Sequence, residues 1–510
     1  MRGMHALLFV AYAGVLSVLA VYGLHRSYLV GMCWRLRDRL RQIAGGVPPV
    51  AREEIRPGSN LPYVTIQLPI YNEATVAPRL LEQIALVEWP KDRLELQILD
   101  DSTDETSQLV RPHLARLRAM GFDVAYLHRK KRTGYKAGAL EAGLKVAKGD
   151  FIAMFDADFL PPPDFLRRVA PHFSDPKVGM VQGRWGHLNR ERSVLTRVEA
   201  LMLDGHHIME NRIRYAADWC FNFAGTGGIW RKAAIESSGG WHHDTLTEDL
   251  DLSYRAQLRG WKFVYREDVV VPAELPEDVL SFRAQQFRWA KGTAQTRRKL
   301  LRALLKSDLP FGAKVEAFFH LTPNLAYPLT MLLSLLLLPL VFTLRNVNTW
   351  TMVIIDLPLF LGTTGSLAAF YSLTESYQGR RWLRSLETIP ALLVVGVGLT
   401  PIVAKALWEG QRGIQSEFVR TPKKGSSSVR YAARKSQLPV IEAALCVWSF
   451  ATLVATIQFA HYVAAPFALM FTCGYGFMAC QMVSEGLANR RTLARVSPVA
   501  LPSVDIPDAA

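Results

Sequence analysis

A few short stretches carry side chains whose types and spacing could do chemistry. In DFIAMFDADFLPPPDF, residues 150–165, an apolar run ends in Asp156 and Asp158, and three prolines then stop it. Side chains on an extended chain repeat every two residues, so both carboxylates project the same way from one rigid strand end. Two like charges placed so are costly unless a cation lies between them, and a hard divalent ion, Mg²⁺ or Mn²⁺, takes carboxylates together with phosphate oxygens. A basic stretch supplies the complement. In HRKKRTGYKAGAL, residues 128–140, Lys136 stands between Gly134 and Gly138 at a helix start, where free N–H groups and the helix dipole favour an anion. Arg129 to Arg132 read equally well as a solvated charge run.

LTEDLDLSYRAQLRGW, residues 246–261, holds Glu248, Asp249 and Asp251 within four positions. Thr247 can cap a helix whose first turn holds the acids, a purely structural account. The alternative is that one of them is a base. About thirty-five residues later QQFRW places Arg288 and Trp289 three and four residues beyond Gln285, on one helical face.

The elements that must position these groups form an α/β pattern. YVTIQLPIYNE (63–73), LELQILDDSTDET (94–106), DVAYLH (123–128) and the run ending at Asp156 read as strands, with helical stretches between them. Strand and helix in repetition imply a parallel sheet with right-handed crossovers, and ligands bind such sheets at the strands' carboxyl ends. Asp100, Asp101, Lys136, Asp156 and Asp158 all fall on that edge.

DDSTD, RTGYKAGAL, DAD, FAGTGG, TED and QQFRW, in this order and followed by apolar helices, resemble the processive glycosyltransferases of family 2: the cellulose synthases and, more closely, the cellulose-synthase-like glucomannan and β-glucan synthases. The resemblance covers roughly residues 63–423. It implies a GT-A domain with a mixed, mainly parallel sheet, joined to an α-helical transmembrane bundle. By the same resemblance Tyr71 and Asp100 or Asp101 face the nucleotide, Lys136 and Arg288 hold the diphosphate, and Asp156 and Asp158 hold the metal. Asp249 is the general base, and Gly225, Thr226, Glu248, Gln285 and Trp289 border the acceptor. EFVRTPK, residues 417–423, resembles a gating loop through Phe418, Thr421 and Lys423, although Arg420 departs from the valine expected in cellulose synthases. The implied reaction passes a hexose from UDP-glucose or GDP-mannose, with inversion, to a β-linked glucan, mannan or glucomannan. The alternative is a non-processive enzyme acting on a lipid acceptor.

Half of the 510 residues are hydrophobic, and the apolar runs gather at the two ends of the chain. Residues 6–24 carry no charge and are followed by Arg26, Arg35, Arg37, Arg39 and Arg41, which reads as an uncleaved anchor with its basic side in the cytoplasm. The expected organisation is an anchor (1–30), a cytoplasmic GT-A domain (52–275), amphipathic interface helices (276–322), a transmembrane pair (323–372), an interfacial helix with the gating-type loop (385–437), a transmembrane hairpin (438–486) and a cytoplasmic tail (487–510). Thr388 to Ala404, short and interrupted by Pro390 and Pro401, is demoted from spanning because the basic loop after it would otherwise lie outside. The setting is an inner or plasma membrane, with room for accessory export subunits. Asp356, Glu442 and His461 lie in or near apolar runs, where ionisable groups are functional candidates or packing positions. Much of the net charge of +15 flanks the apolar runs, and no interleaved basic and aromatic face for nucleic acid stands out. Five cysteines without metal-ligand spacing read as reduced.

Overall fold

Strands that are apolar on both faces need helices on both faces, and this sheet has them. The computed structural model describes residues 2–343, 361–416 and 438–495. Seven strands form one sheet: β1 (Val64–Ile70), β2 (Leu94–Asp100), β3 (Asp123–His128), β4 (Phe151–Met154), β5 (Val178–His187), β6 (Gly228–Arg231) and β7 (Lys262–Ala273), in the order β3-β2-β1-β4-β6-β5-β7. Along β4 the side chains alternate between two buried clusters, Phe151 and Ala153 in one, Ile152 and Met154 in the other. The sheet is therefore the middle layer of a three-layer domain.

β1 to β4 pair in parallel, whereas β6 runs antiparallel to both β4 and β5. A reversed strand brings the loop before it, rather than the loop after it, to the carboxyl edge. That reversal puts FAGTGG on the edge that carries Asp156 and Asp158.

The Val279–Lys306 helix, which carries QQFRW, leads from the sheet towards a bundle of apolar helices. Five helices among the described residues are long and apolar enough to cross a membrane: Ala6–Arg35, Pro323–Thr343, Leu383–Arg412, Val440–Gln458 and Ala465–Ala488. The short, interrupted stretch expected at Thr388–Ala404 is instead part of an unbroken thirty-residue helix running through Pro390 and Pro401. Proline is tolerated in apolar helices whose neighbours pack closely around them. Here a Cβ on Gly398 would come within 2.8 Å of the Gly474 carbonyl oxygen. Residues 351–360 of the apolar run at 351–371, with Asp356, lie outside the described residues, as do Phe418, Thr421 and Lys423 and residues 496–510 of the tail.

Buried ion pairs and caps tie the bundle to the sheet domain. Glu442 pairs with Arg283 at 2.5 Å. The Glu485 carboxylate accepts from the N–H groups of Val279 and Leu280 at 2.8 and 3.0 Å, satisfying free donors at that helix start. Lys291, fully buried, pairs with Glu409 at 2.6 Å.

Candidate active site

A cavity of about 190 Å³ opens at the carboxyl edge, and each of the six ordered motifs contributes to its wall. Asp101 comes from the end of β2, Arg132 and Lys136 from the loop and helix after β3, and Asp156 and Asp158 from the end of β4. Ala224 and Gly225 precede β6, Glu248 and Asp249 begin the Glu248–Leu258 helix, and Gln285, Arg288 and Trp289 lie on one face of the Val279–Lys306 helix.

Lys136 is the hub. Its Nζ lies 2.5 Å from Asp156 Oδ1 and donates to the Gly225 carbonyl at 3.0 Å. Gly225 has φ +81°, and a Cβ there would stand 2.9 Å from Asp249 Oδ2 and 3.6 Å from Lys136 Nζ. Only glycine accepts that backbone while leaving room for the carboxylate. Burial opposes the charge on Lys136, but Asp156 and Glu248 outweigh it and raise its pKa. Burial pushes the Asp249 carboxyl up to about 7, helped by Glu248 beside it. Burial likewise raises Glu248 and Asp156, with Lys136 opposing in both.

The three acids of the TED stretch divide their labour. Glu248 and Asp249 line the cavity, whereas Asp251 is fully buried and pairs with Arg255 at 2.8 Å and Lys299 at 2.9 Å. Thr247 sits at the N-cap position but makes no capping bond; its hydroxyl lies 3.4 Å from that of Thr296, on the neighbouring helix. The two helices meet where a Cβ on Gly292 would fall 2.5 Å from Thr247 Cγ2.

Asp100 and Asp101, left as alternatives by the sequence, are separated by the structure. Asp100 is fully buried and is held by the Ser102 N–H, the Ser107 hydroxyl and the Tyr126 hydroxyl, away from the cavity. Asp101 lines the cavity and receives Arg129 Nε and Nη2 at 2.8 and 2.5 Å. Half of the basic run is therefore structural or site-facing: Arg129 fixes Asp101, the Arg132 guanidinium lies 3.4 Å over the Tyr71 ring, and Lys130 and Lys131 are exposed. Thr226 does not line the cavity. It is buried, and its hydroxyl accepts from the Asp156 N–H at 2.9 Å, locking the FAGTGG loop to DAD.

Residues 151–361 match the model of the glycosyl transferase family group 2. Glucomannan 4-beta-mannosyltransferase 2 of Arabidopsis thaliana is 38% identical over 329 residues, 63% of this chain and 61% of that protein. Glucomannan 4-beta-mannosyltransferase 7 of the same plant is 34% identical over 389 residues, 74% of this chain and 67% of that protein. The chain belongs to the cellulose-synthase-like glycosyltransferases of family 2. It spans less than two thirds of the first relative's length. Among solved structures, a mannosyltransferase from Pyrobaculum calidifontis in complex with GDP-Man and Mn2+ aligns at TM-score 0.49 and 21% identity, covering 79% of this chain and 100% of that one.

The donor set in this family 2 glycosyltransferase suits a divalent cation. Asp158 adds to the raised pKa of Asp156, so the two carboxylates feel each other, and Lys136 and Arg288 supply the surrounding positive charge. Sequence reasoning missed Glu73, Trp185, His187 and Glu274, which also line the cavity. Trp185 and His187 lie two apart at the carboxyl end of β5, a signal hidden by the glycines of VGMVQGRWGH.

Two further cavities follow the first. One, of about 330 Å³, shares Trp185, Ala224, Asp249 and Trp289 with it. The next, of about 360 Å³ among the apolar helices, shares Tyr22, Arg26, Asn324 and Tyr327 with the second.

Proposed function

We propose that this chain is a membrane-embedded, processive, inverting β-glycosyltransferase, which adds hexose from a nucleotide sugar to the end of a growing β-linked polysaccharide. Asp249 carries the reading: a half-buried carboxylate whose pKa is pushed up to about 7, on the wall shared by the cavity holding Asp156 and Lys136 and by the cavity leading into the bundle. The relatives' names, glucomannan 4-beta-mannosyltransferases, favour GDP-mannose over UDP-glucose as donor and a β-1,4-linked mannan or glucomannan as product.

The acceptor hydroxyl attacks the anomeric carbon while Asp249 takes its proton, and the bond to the nucleoside diphosphate breaks with the electron pair leaving on phosphate oxygen. One displacement converts an α-linked donor into a β-linked product. Lys136 and Arg288 face the charge that develops on the leaving group. Asp156 and Asp158 would hold Mg²⁺ or Mn²⁺, which when bound offsets further diphosphate charge. Tyr71, Arg132 and Asp101 form the wall for base and ribose. Trp289 offers an apolar face to the terminal sugar, and Gly225, Glu248 and Gln285 border it. The product leaves through the cavities that share walls with this one, so the sheet domain lies on the cytoplasmic side and the glycan passes outward.

The test is to incubate membranes holding the full chain with labelled GDP-mannose or UDP-glucose and Mn²⁺ or Mg²⁺, then digest the polymer with linkage-specific glycanases. The expected result is a β-mannanase-sensitive polymer from GDP-mannose, lost on chelation and reduced by about 10²–10⁴-fold in Asp249→Asn, the usual contribution of a general base. An Asp249→Asn enzyme as active as the wild type contradicts the assignment.

A further inference from the structure

One chain of contacts runs from the wall of the reaction cavity to an exposed aromatic and basic surface. His187 lines the cavity at the carboxyl end of β5, and its Nε2 lies 3.0 Å from Oδ1 of Asp204, a carboxylate 1% exposed. Arg190 pairs with the same carboxylate. So does the turn 378–382, through Gln378 Nε2 at 3.0 Å and Arg380 Nη1 at 3.4 Å. Glu375, near the end of the Ser366–Tyr377 helix, pairs in turn with Arg190 at 2.5 Å and Arg380 at 3.5 Å. The turn therefore helps to hold a buried charge that orients a cavity residue.

The next residues face outward. Trp382 is 52% exposed, and Arg381, Leu383, Arg384 and Leu386 are exposed with it. Neither arginine pairs with a carboxylate among the described residues. The Ser372 and Ser385 hydroxyls, 2.9 Å apart, close the turn, and Met32 and Cys33 share a buried cluster with Phe370, against which Leu373 packs. That packing brings in the end of the first apolar helix, where Trp34 is 73% exposed and is followed by exposed Arg35 and Arg37. The acids Asp38 and Glu387 are exposed in the same stretches, fewer than the arginines. Clustered exposed apolar groups mark an interaction surface, and tryptophan is enriched at the headgroup level of a bilayer. Guanidinium groups beside it match phosphate geometry and are drawn to an anionic leaflet. Because Gln378 and Arg380 reach the sheet domain, this surface lies on the sheet-domain side of the apolar helices.

We propose that Arg381, Trp382 and Arg384 bind an anionic phospholipid of the leaflet facing the sheet domain, and that the bound lipid raises turnover by fixing the turn that holds Asp204 and His187. The arginines take the phosphate, and Trp382 with Leu383 and Leu386 takes the upper acyl chains. The effect on turnover rests on the glycosyl-transfer reading, whereas the lipid contact does not. The lipid contributes no group to the reaction; it steadies one wall of the cavity.

The experiment uses the full chain in nanodiscs of phosphatidylcholine alone or mixed with phosphatidylglycerol, and reads two quantities: the phosphatidylglycerol retained by the protein in native mass spectrometry, and the ratio of turnover between the two lipid mixtures. In the wild type phosphatidylglycerol is retained and turnover is higher in the mixed discs. Arg381→Gln and Arg384→Gln should each weaken retention about fivefold, the scale of one basic group at an anionic surface, and lower the turnover ratio with it. Arg380→Gln should keep the lipid and lose its effect on turnover, while Arg116→Gln, an exposed arginine on the sheet domain, should match the wild type in both. Wild-type retention in the Arg381→Gln, Arg384→Gln double variant overturns the site, as does equal activation by soluble glycerol 3-phosphate in phosphatidylcholine discs. A wild-type turnover ratio in Arg380→Gln overturns the coupling to the cavity. A chain that retains phosphatidylglycerol but turns over neither GDP-mannose nor UDP-glucose overturns the transferase reading and leaves the lipid site standing.

Discussion

Asp249 gains its character from its place rather than its type. Burial comes first and Glu248 second in pushing its carboxyl up to about 7, while Lys136 opposes. A base must be ionised to accept a proton, so kcat/KM should fall about tenfold per pH unit below a midpoint near this value and reach a plateau above it. A profile flat through that range would contradict the assignment. Gly225→Ala should reduce activity sharply, because its Cβ would enter the space of Asp249 Oδ2 and force a strained φ; turnover per folded enzyme checks this, and wild-type turnover is the contrary result. At this scale the sequence was legible where motif and strand end coincided, as at Asp156, Asp158 and Lys136. It could not separate Asp100 from Asp101, because only the folded chain brings Tyr126 and Ser107 to the first and Arg129 to the second. Trp185 and His187 were invisible for a related reason, since neither stands in a recognisable motif.

The elements set those residues by crossing one another closely. The Glu248–Leu258 helix is pinned against the Val279–Lys306 helix by Lys299, which pairs with both Asp244 and Asp251, and by the close approach at Gly292. Lys299→Met removes one of two cationic partners from a fully buried carboxylate, and should destabilise by about 1–3 kcal/mol. Thermal unfolding of the purified chain checks this, with an unchanged midpoint as the contrary result. The first four strands were legible as apolar runs between helical stretches. The reversal of β6 was not: Gly228–Arg231 is four residues long, its first three are buried, and a run that short has no periodicity to report its direction. The Leu383–Arg412 helix was misjudged in continuity, because prolines break helices in water but pass within a packed apolar bundle.

Across the whole molecule the three cavities share walls from the sheet edge to the apolar bundle. Gly396 lines the last of them, with open space where a Cβ would go. Gly396→Phe should therefore shorten the polymer while single transfer to a short acceptor continues; equal polymer lengths in the two enzymes would separate the bundle from product passage. The decisive measurement is a cryo-EM structure of the full chain in nanodiscs, taken after incubation with its nucleotide sugar. Glycan density is expected with its terminal sugar against Trp289, its terminal hydroxyl within hydrogen-bond reach of Asp249, and the chain continuing past Trp185 towards Tyr327. Polymer bound anywhere else, or entering the Asp249 cavity from a side other than the bundle, would contradict this path.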